Sequence, residues 1–271
     1  MINKPQFTIL TVNYNTSDFI ALMLYSLKKL TKNSYKVIIC DNGSSFKDRN
    51  YLIDIVKKID NISLIFREQS KAGSIGHAEA LDRLIFEVNT PYFVVLDSDA
   101  LFLLKNWDEL LLSKINNKTK CIGTPIVPNP IKPTDFPLMF ATMYETNTFK
   151  SLSCSFMPDM ENISKGKDTG WQVREIFLNS GYKGKNFNVY NTRHYKEGVF
   201  QSILCSEYYL EGVEHIIASH FGRGSSGGVN KYNNRWYLKL PLISKFFRRL
   251  QGKKEKQEWM AIARKIIDKQ R

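Results

Sequence analysis

The sequence predicts an α/β fold, with a mostly parallel central sheet and helices on both faces. Short apolar, β-branched runs alternate with segments of helical period through residues 7–96, as in strand–helix–strand units. Polar residues stand just past the carboxyl end of each apolar run, the edge where an open α/β sheet binds ligands. A length of 271 residues, 43% of them apolar and 13% aromatic, supports a large core and excludes an intrinsically disordered chain.

Residues 7–12 (FTILTV) read as a buried strand followed by Asn13 and Asn15. Thr16 or Ser17 caps a helix to about residue 30, with Phe19, Leu22, Met23, Ser26 and Leu27 at helical spacing. Residues 37–40 (VIIC) form the second strand, which ends at Asp41; a helix over 46–59 and a strand over 62–66 follow, the latter ending at Arg67. Residues 76–88 read as a helix with Ser74 as a cap, and 92–96 (YFVVL) as a strand ending at Asp97-Ser98-Asp99. From 125 to 166 the rhythm breaks at Pro128, Pro130, Pro133 and Pro137, with a strand over 138–142 and a short helix over 144–152. A helix over 169–180 is opened by Asp168 and stopped by Gly181.

The four cysteines, Cys40, Cys121, Cys154 and Cys205, form no C-x-x-C pair and no disulfide framework. No run approaches the ~18 apolar residues of a spanning helix, and Met1 leads into the first strand without a signal-peptide block. The reading is a cytoplasmic chain.

Of the net charge of +13, residues 231–271 carry 13 Lys and Arg against 3 acids, so the remainder is nearly neutral. This basic tail shows two apolar stripes of helical period: Leu242, Ile243, Phe246, Phe247 and Leu250, then, after Gly252, Trp259, Met260, Ala263, Ile266 and Ile267. They read as two helices. These pack on the body, or they lie on anionic lipid at the inner face of the membrane, where each cation adds roughly 1 kcal/mol. Nucleic acid is not expected as a partner, because the aromatics share the apolar face.

Asp97-Ser98-Asp99 carries the strongest chemical signal. Carboxylates two residues apart point the same way from a strand, and hard cations such as Mg²⁺ or Mn²⁺ take a few carboxylates with water and phosphate oxygens. The segments VNYN (12–15), DNGSS (41–45), GSIGHAEALD (73–82) and LDSDA (96–100), in this order, resemble glycosyltransferase family 2, whose fold is the GT-A type. The resemblance covers residues 7–228. It implies a domain over 1–230, with a nucleotide-sugar-binding half (1–124) and an acceptor-binding half (125–230), leaving 231–271 as the basic helical tail.

Carried onto this chain, the resemblance implies that Val12, Asn13 and Asn15 meet the nucleotide base, Asp41 the base or ribose, and Arg67, Gly73 and Ser74 the nucleotide. It implies that Asp97, with Ser98 beside it, bonds the ribose and that Asp99 ligates Mn²⁺ or Mg²⁺. It implies further that His220, in SHFGRGSSGG, completes the metal site and that the following loop closes over the diphosphate, with Arg223 adding charge there. The resemblance makes Asp168 the expected catalytic base, in a stretch reading Gly-Lys-Asp where the family usually has Gly-Glu-Asp; it also reads as a helix N-cap. Asp159 and Glu161 are the alternates. His77, His194 and His215 read as structural, and Trp171 either stacks on a sugar or packs in the core.

The implied activity is an inverting, metal-dependent transfer of a sugar from a nucleoside diphosphate, UDP before dTDP, to a saccharide or lipid-linked glycan. A sugar-nucleotide pyrophosphorylase would show a glycine-rich loop after the first strand, where this chain has Asn13-Tyr14-Asn15-Thr16. A non-catalytic scaffold that binds membrane or nucleic acid through the tail is disfavoured by the carboxylates at successive strand ends.

Overall fold

The structure, a computed structural model, describes residues 4–68, 73–128, 130–224 and 244–270. β1 (Phe7–Asn13), an interior strand of the large sheet, is buried throughout, as a strand covered on both faces must be. There follow α1 (Ser17–Leu30), β2 (Tyr35–Asn42), α2 (Phe46–Val56), β3 (Ile62–Arg67), α3 (Ser74–Phe86) and β4 (Tyr92–Leu96). β1 pairs in parallel with β2 and with β4, and β2 with β3. The expected alternation is therefore present, although α2 ends three residues short of 59 and α3 begins two before Gly76.

Beyond β4 come β5 (Ala100–Phe102), α4 (Trp107–Leu112), β6 (Thr119–Gly123), β7 (Ala141–Glu145) and α5 (Thr146–Ser151). A 3₁₀ turn at Met160–Lys165 leads to α6 (Trp171–Asn179), β8 (Lys183–Asn186), β9 (Asn188–Asn191), β10 (Ser206–Tyr209), β11 (Ala218–His220) and α7 (Ser244–Lys269). Seven strands form the large sheet in the order β3-β2-β1-β4-β7-β6-β8, and β5-β11-β10-β9 form a small antiparallel one. The large sheet is mostly parallel; β7 runs against both β4 and β6. The strand expected over 138–142 is shifted to 141–145, because pairing on both sides of β7 outweighs the helical pattern from Tyr144 onward.

Two crossings position the site. Directly after Asp99 the chain passes from the large sheet into β5, which pairs with β11 so that Ala100 faces His220. β7 ends its ladder with Ala141 opposite Leu96, so the preceding residue, Phe140, accepts the Asp97 N–H at 2.9 Å.

α7 is one continuous helix, not the two read from the sequence. Trp259, Ala263 and Ile267 are buried, with the Trp259 ring against Phe19 and Phe221 and its indole N–H donating to Ser219 Oγ at 3.0 Å. Gly252 lies buried within the helix rather than breaking it. Leu242 and Ile243 of the first stripe, and residues 225–228 of the loop after His220, lie outside the described residues.

Candidate active site

The carboxyl ends of β1, β2 and β4 open into a cavity of about 510 Å³. Side-chain alternation decides which residues reach it. Val12, Tyr14 and Asn42 line the cavity. Asn13 and Asp41, one residue out of phase and opposite each other in the β1–β2 register, point to the other side of the sheet. There the Asn13 amide lies 2.8 Å from Asp41 Oδ2, 2.8 Å from Asp48 Oδ2 and 3.0 Å from Ser44 Oγ, while its carbonyl oxygen accepts from Thr16 N at 3.1 Å. Asp41 also takes Arg49 Nε at 3.1 Å.

This corrects the reading of Asn13 and Asp41 as base contacts: both are fully buried, and buried polar groups must satisfy one another. Asn15 and Arg67 likewise frame the site from outside. Asn15 sits at φ 56° with its carbonyl oxygen on Ser45 N; Arg67 donates to Asn42 Oδ1 and Gly76 O and pairs with Glu79. Asn13→Ala is expected to cost about 1–3 kcal/mol in urea unfolding, by leaving Asp41 and Asp48 short of a donor. A large loss of nucleotide affinity at unchanged stability would restore the earlier reading.

The remaining predicted residues, Gly73, Ser74, Asp97, Ser98, Asp99, Asp168 and His220, line the cavity together. His220 Nε2 lies 3.2 Å from Asp99 Oδ1 and 3.7 Å from Asp97 Oδ2, and the Phe140 ring stacks on the imidazole at 4.5 Å. Asp99 Oδ2 accepts the backbone N–H groups of Arg223 at 2.8 Å and Gly224 at 2.7 Å. Burial opposes its charge, yet His220 and those two donors hold the Asp99 carboxyl far below the usual carboxylate range. Asp97 has no such donors, and burial pushes its carboxyl up despite His77 and His220 nearby.

Ligand atoms of Asp97, Asp99 and His220 lie within 4.8 Å of one another. Asp97 Oδ1 is buried without a hydrogen-bond partner, an acceptor left open for a cation. Two hard oxygens and one imidazole suit Mn²⁺ or Mg²⁺, so these residues fit the cation that the resemblance implies.

Asp168 is not the helix cap the sequence suggested. Gly170, at φ 80°, occupies the N-cap of α6 with no side-chain cap bond, and a Cβ there would meet Met139 Cε at 2.8 Å. The Asp168 carboxylate is thereby left to the cavity, where Oδ2 accepts Lys132 Nζ at 2.8 Å and Oδ1 accepts Thr169 N at 2.8 Å. Half-burial raises its pKa, but the Lys132 ammonium and the Thr169 N–H outweigh it, so the carboxyl sits below its ordinary value. The alternates, Asp159 and Glu161, do not line the cavity; Asp159 takes Asn162 Nδ2 at 2.9 Å. Lys167 lies over the Trp171 ring, 4.4 Å from its centroid.

Arg223 reaches the site through its backbone. Its guanidinium turns inward, pairing with buried Glu255 of α7 at 2.9 Å and bonding the Leu204 carbonyl. This corrects its assignment to the leaving diphosphate: the side chain is fully buried, and a buried cation is retained where a carboxylate pairs with it. His77, read as structural, lines the cavity with Nε2 3.6 Å from Asp97 Oδ1. Sequence reasoning also missed Tyr14, Asn42, Lys132 and Phe140. The period-2 alternation around Val12 could have revealed the first two, whereas nothing local marks Lys132 or Phe140.

The carboxyl edge of the large sheet, the Asp97–Asp99–His220 cluster and the Asp168 carboxylate share one cavity in a domain of GT-A fold. The chain belongs to glycosyl transferase family 2, whose sequence profile matches residues 8–164.

A stretch of 93 residues is 32% identical to the teichoic acid poly(glycerol phosphate) polymerase of Staphylococcus epidermidis. It takes in 34% of this chain and 12% of that protein, so the chain spans only a small part of that relative's length. Among solved structures, mannosyltransferase PcManGT from Pyrobaculum calidifontis, in complex with GDP-Man and Mn²⁺, is similar with a TM-score of 0.53 at 14% identity, over 68% of this chain and 55% of that one. TarS 1–349 of S. aureus in complex with UDP-GlcNAc gives a TM-score of 0.42 at 15% identity, over 56% of this chain and 48% of that one.

Proposed function

We propose that the chain is a metal-dependent inverting transferase. It moves a sugar from a nucleoside diphosphate, UDP before dTDP, to a hydroxyl of a saccharide or lipid-linked glycan of the cell surface. One observation carries this reading: the Asp97–Asp99–His220 cluster and the Asp168 carboxylate face the same cavity. Asp168 takes the acceptor proton at a carboxylate oxygen while the acceptor oxygen attacks the anomeric carbon from the side opposite the diphosphate. A single displacement inverts that carbon.

Lys132 pairs with the Asp168 carboxylate and favours its charged form. A carboxylate held below its ordinary pKa is a weak base, so it accepts the proton as the new C–O bond forms rather than before. Gly73 and Ser74 bring the N-terminus of α3 to the cavity, where unpaired N–H groups favour phosphate. Asp99 and His220, with Asp97 beside them, would hold the divalent cation, which when bound supplies Lewis-acid stabilisation of the departing diphosphate.

Calorimetric titration with UDP, dTDP, GDP and CDP, with and without Mn²⁺, tests the donor half. The expected result is binding of one nucleotide that depends on the cation. Folded protein that binds none of them under either condition sinks the reading.

A further inference from the structure

α7 carries two apolar stripes, and only one of them is buried. At about 100° per residue, Gly252, Glu255, Trp259, Ala263 and Ile267 share one face, and all five are buried. Phe246, Phe247 and Leu250 are centred roughly 165° away around the same axis. They are 61%, 41% and 48% exposed. Two helices joined at Gly252 would have let each stripe turn to the core. A continuous helix from Ser244 to Lys269 does not, because buried Trp259 and the Glu255–Arg223 pair set its rotation.

The outward stripe is embedded in positive charge. Residues 244–254 contain five Lys or Arg and no acid, and Arg249, Lys253 and Lys254 are exposed. We propose that this outward face docks the protein onto an anionic lipid surface, with the helix lying in the headgroup plane. No helix among the described residues is long and apolar enough to cross a membrane. Outside residues 231–271 the chain is nearly neutral, which concentrates the attraction on this end. A second copy of the chain would set the same cations against each other, which like-charge repulsion opposes.

Co-sedimentation of the full chain with vesicles tests the proposal, using phosphatidylcholine containing about 30% phosphatidylserine, or none, at about 0.1 M salt. Two variants are compared, Phe246→Ser/Phe247→Ser/Leu250→Ser and Arg249→Glu/Lys253→Glu/Lys254→Glu. None of these residues belongs to the donor cavity. The expected result is at least about tenfold preference of the wild type for anionic vesicles, and a drop of about tenfold or more in both variants. Nucleotide binding should be unchanged in both, so docking and the donor site succeed or fail separately. The proposal is overturned by a wild type that ignores anionic vesicles or binds neutral ones equally, or by variants that bind like the wild type. It is equally overturned by a solution dimer that the apolar variant dissociates, which would give the face to a second copy.

Discussion

Asp168→Asn is expected to lower kcat by about 10²–10⁴-fold while leaving donor affinity within about twofold. The replacement is isosteric, and its one amide oxygen keeps one of the two donors Asp168 has now, Lys132 on Oδ2 or Thr169 N on Oδ1. What is lost is the ability to take a proton. Steady-state kinetics beside a nucleotide titration separates the two effects, and a kcat within about threefold of wild type would remove Asp168 from the base role. The depressed pKa also fixes a sign. Because the ammonium favours the charged form, Asp168 stays ionised through the neutral range, and its protonation limits the rate only at acid pH. Lys132→Met withdraws that cation, so the pKa rises and the acid limb of kcat/KM moves toward neutral pH.

Asp99→Asn is expected to abolish cation-dependent nucleotide binding and to lower turnover by about 10²–10³-fold, the scale of several kcal/mol of charge stabilisation. The amide oxygen still accepts from the Arg223 and Gly224 N–H groups, so the loop after β11 keeps its anchor. At the Oδ1 position, facing His220, the charged acceptor is replaced by a neutral NH₂ group. Thermal unfolding of the variant, and of wild type treated with chelator, should move little compared with activity. A variant that still binds nucleotide only when Mn²⁺ is present would show that the cation is held elsewhere.

Much of the candidate site is legible along the chain, and the misses share one cause. Asp97 and Asp99 announce themselves because a polar pair ending an apolar strand has few uses other than binding. Asn13 and Asp41 look equivalent to them, yet each faces away from the cavity. Their neighbours Val12, Tyr14 and Asn42 line it instead. Position at a strand end is visible in sequence; which face of the sheet borders the cavity is not, until α1 and α2 pack on one side and α3, whose N-terminal turn lines the cavity, on the other. Arg223 fails for a related reason. Its guanidinium is claimed by Glu255, a residue whose burial depends on how α7 docks.

Legible along the chain are the strand–helix alternation, the mostly parallel sheet, the strand ends that border the candidate cavity and the acidic pair Asp97 and Asp99 within it. These follow from local periodicity and from apolar runs that have only one way to be buried. Only the tertiary fold brings His220 to Asp99, through the pairing of β5 with β11, and Lys132 to Asp168. It also decided that Gly170 rather than Asp168 caps α6, and that α7 buries one stripe and exposes the other. Each of these is a competition between distant groups for one partner or one patch of core. Such a competition is settled by packing, because a buried polar atom or apolar face takes whichever neighbour the fold brings within reach.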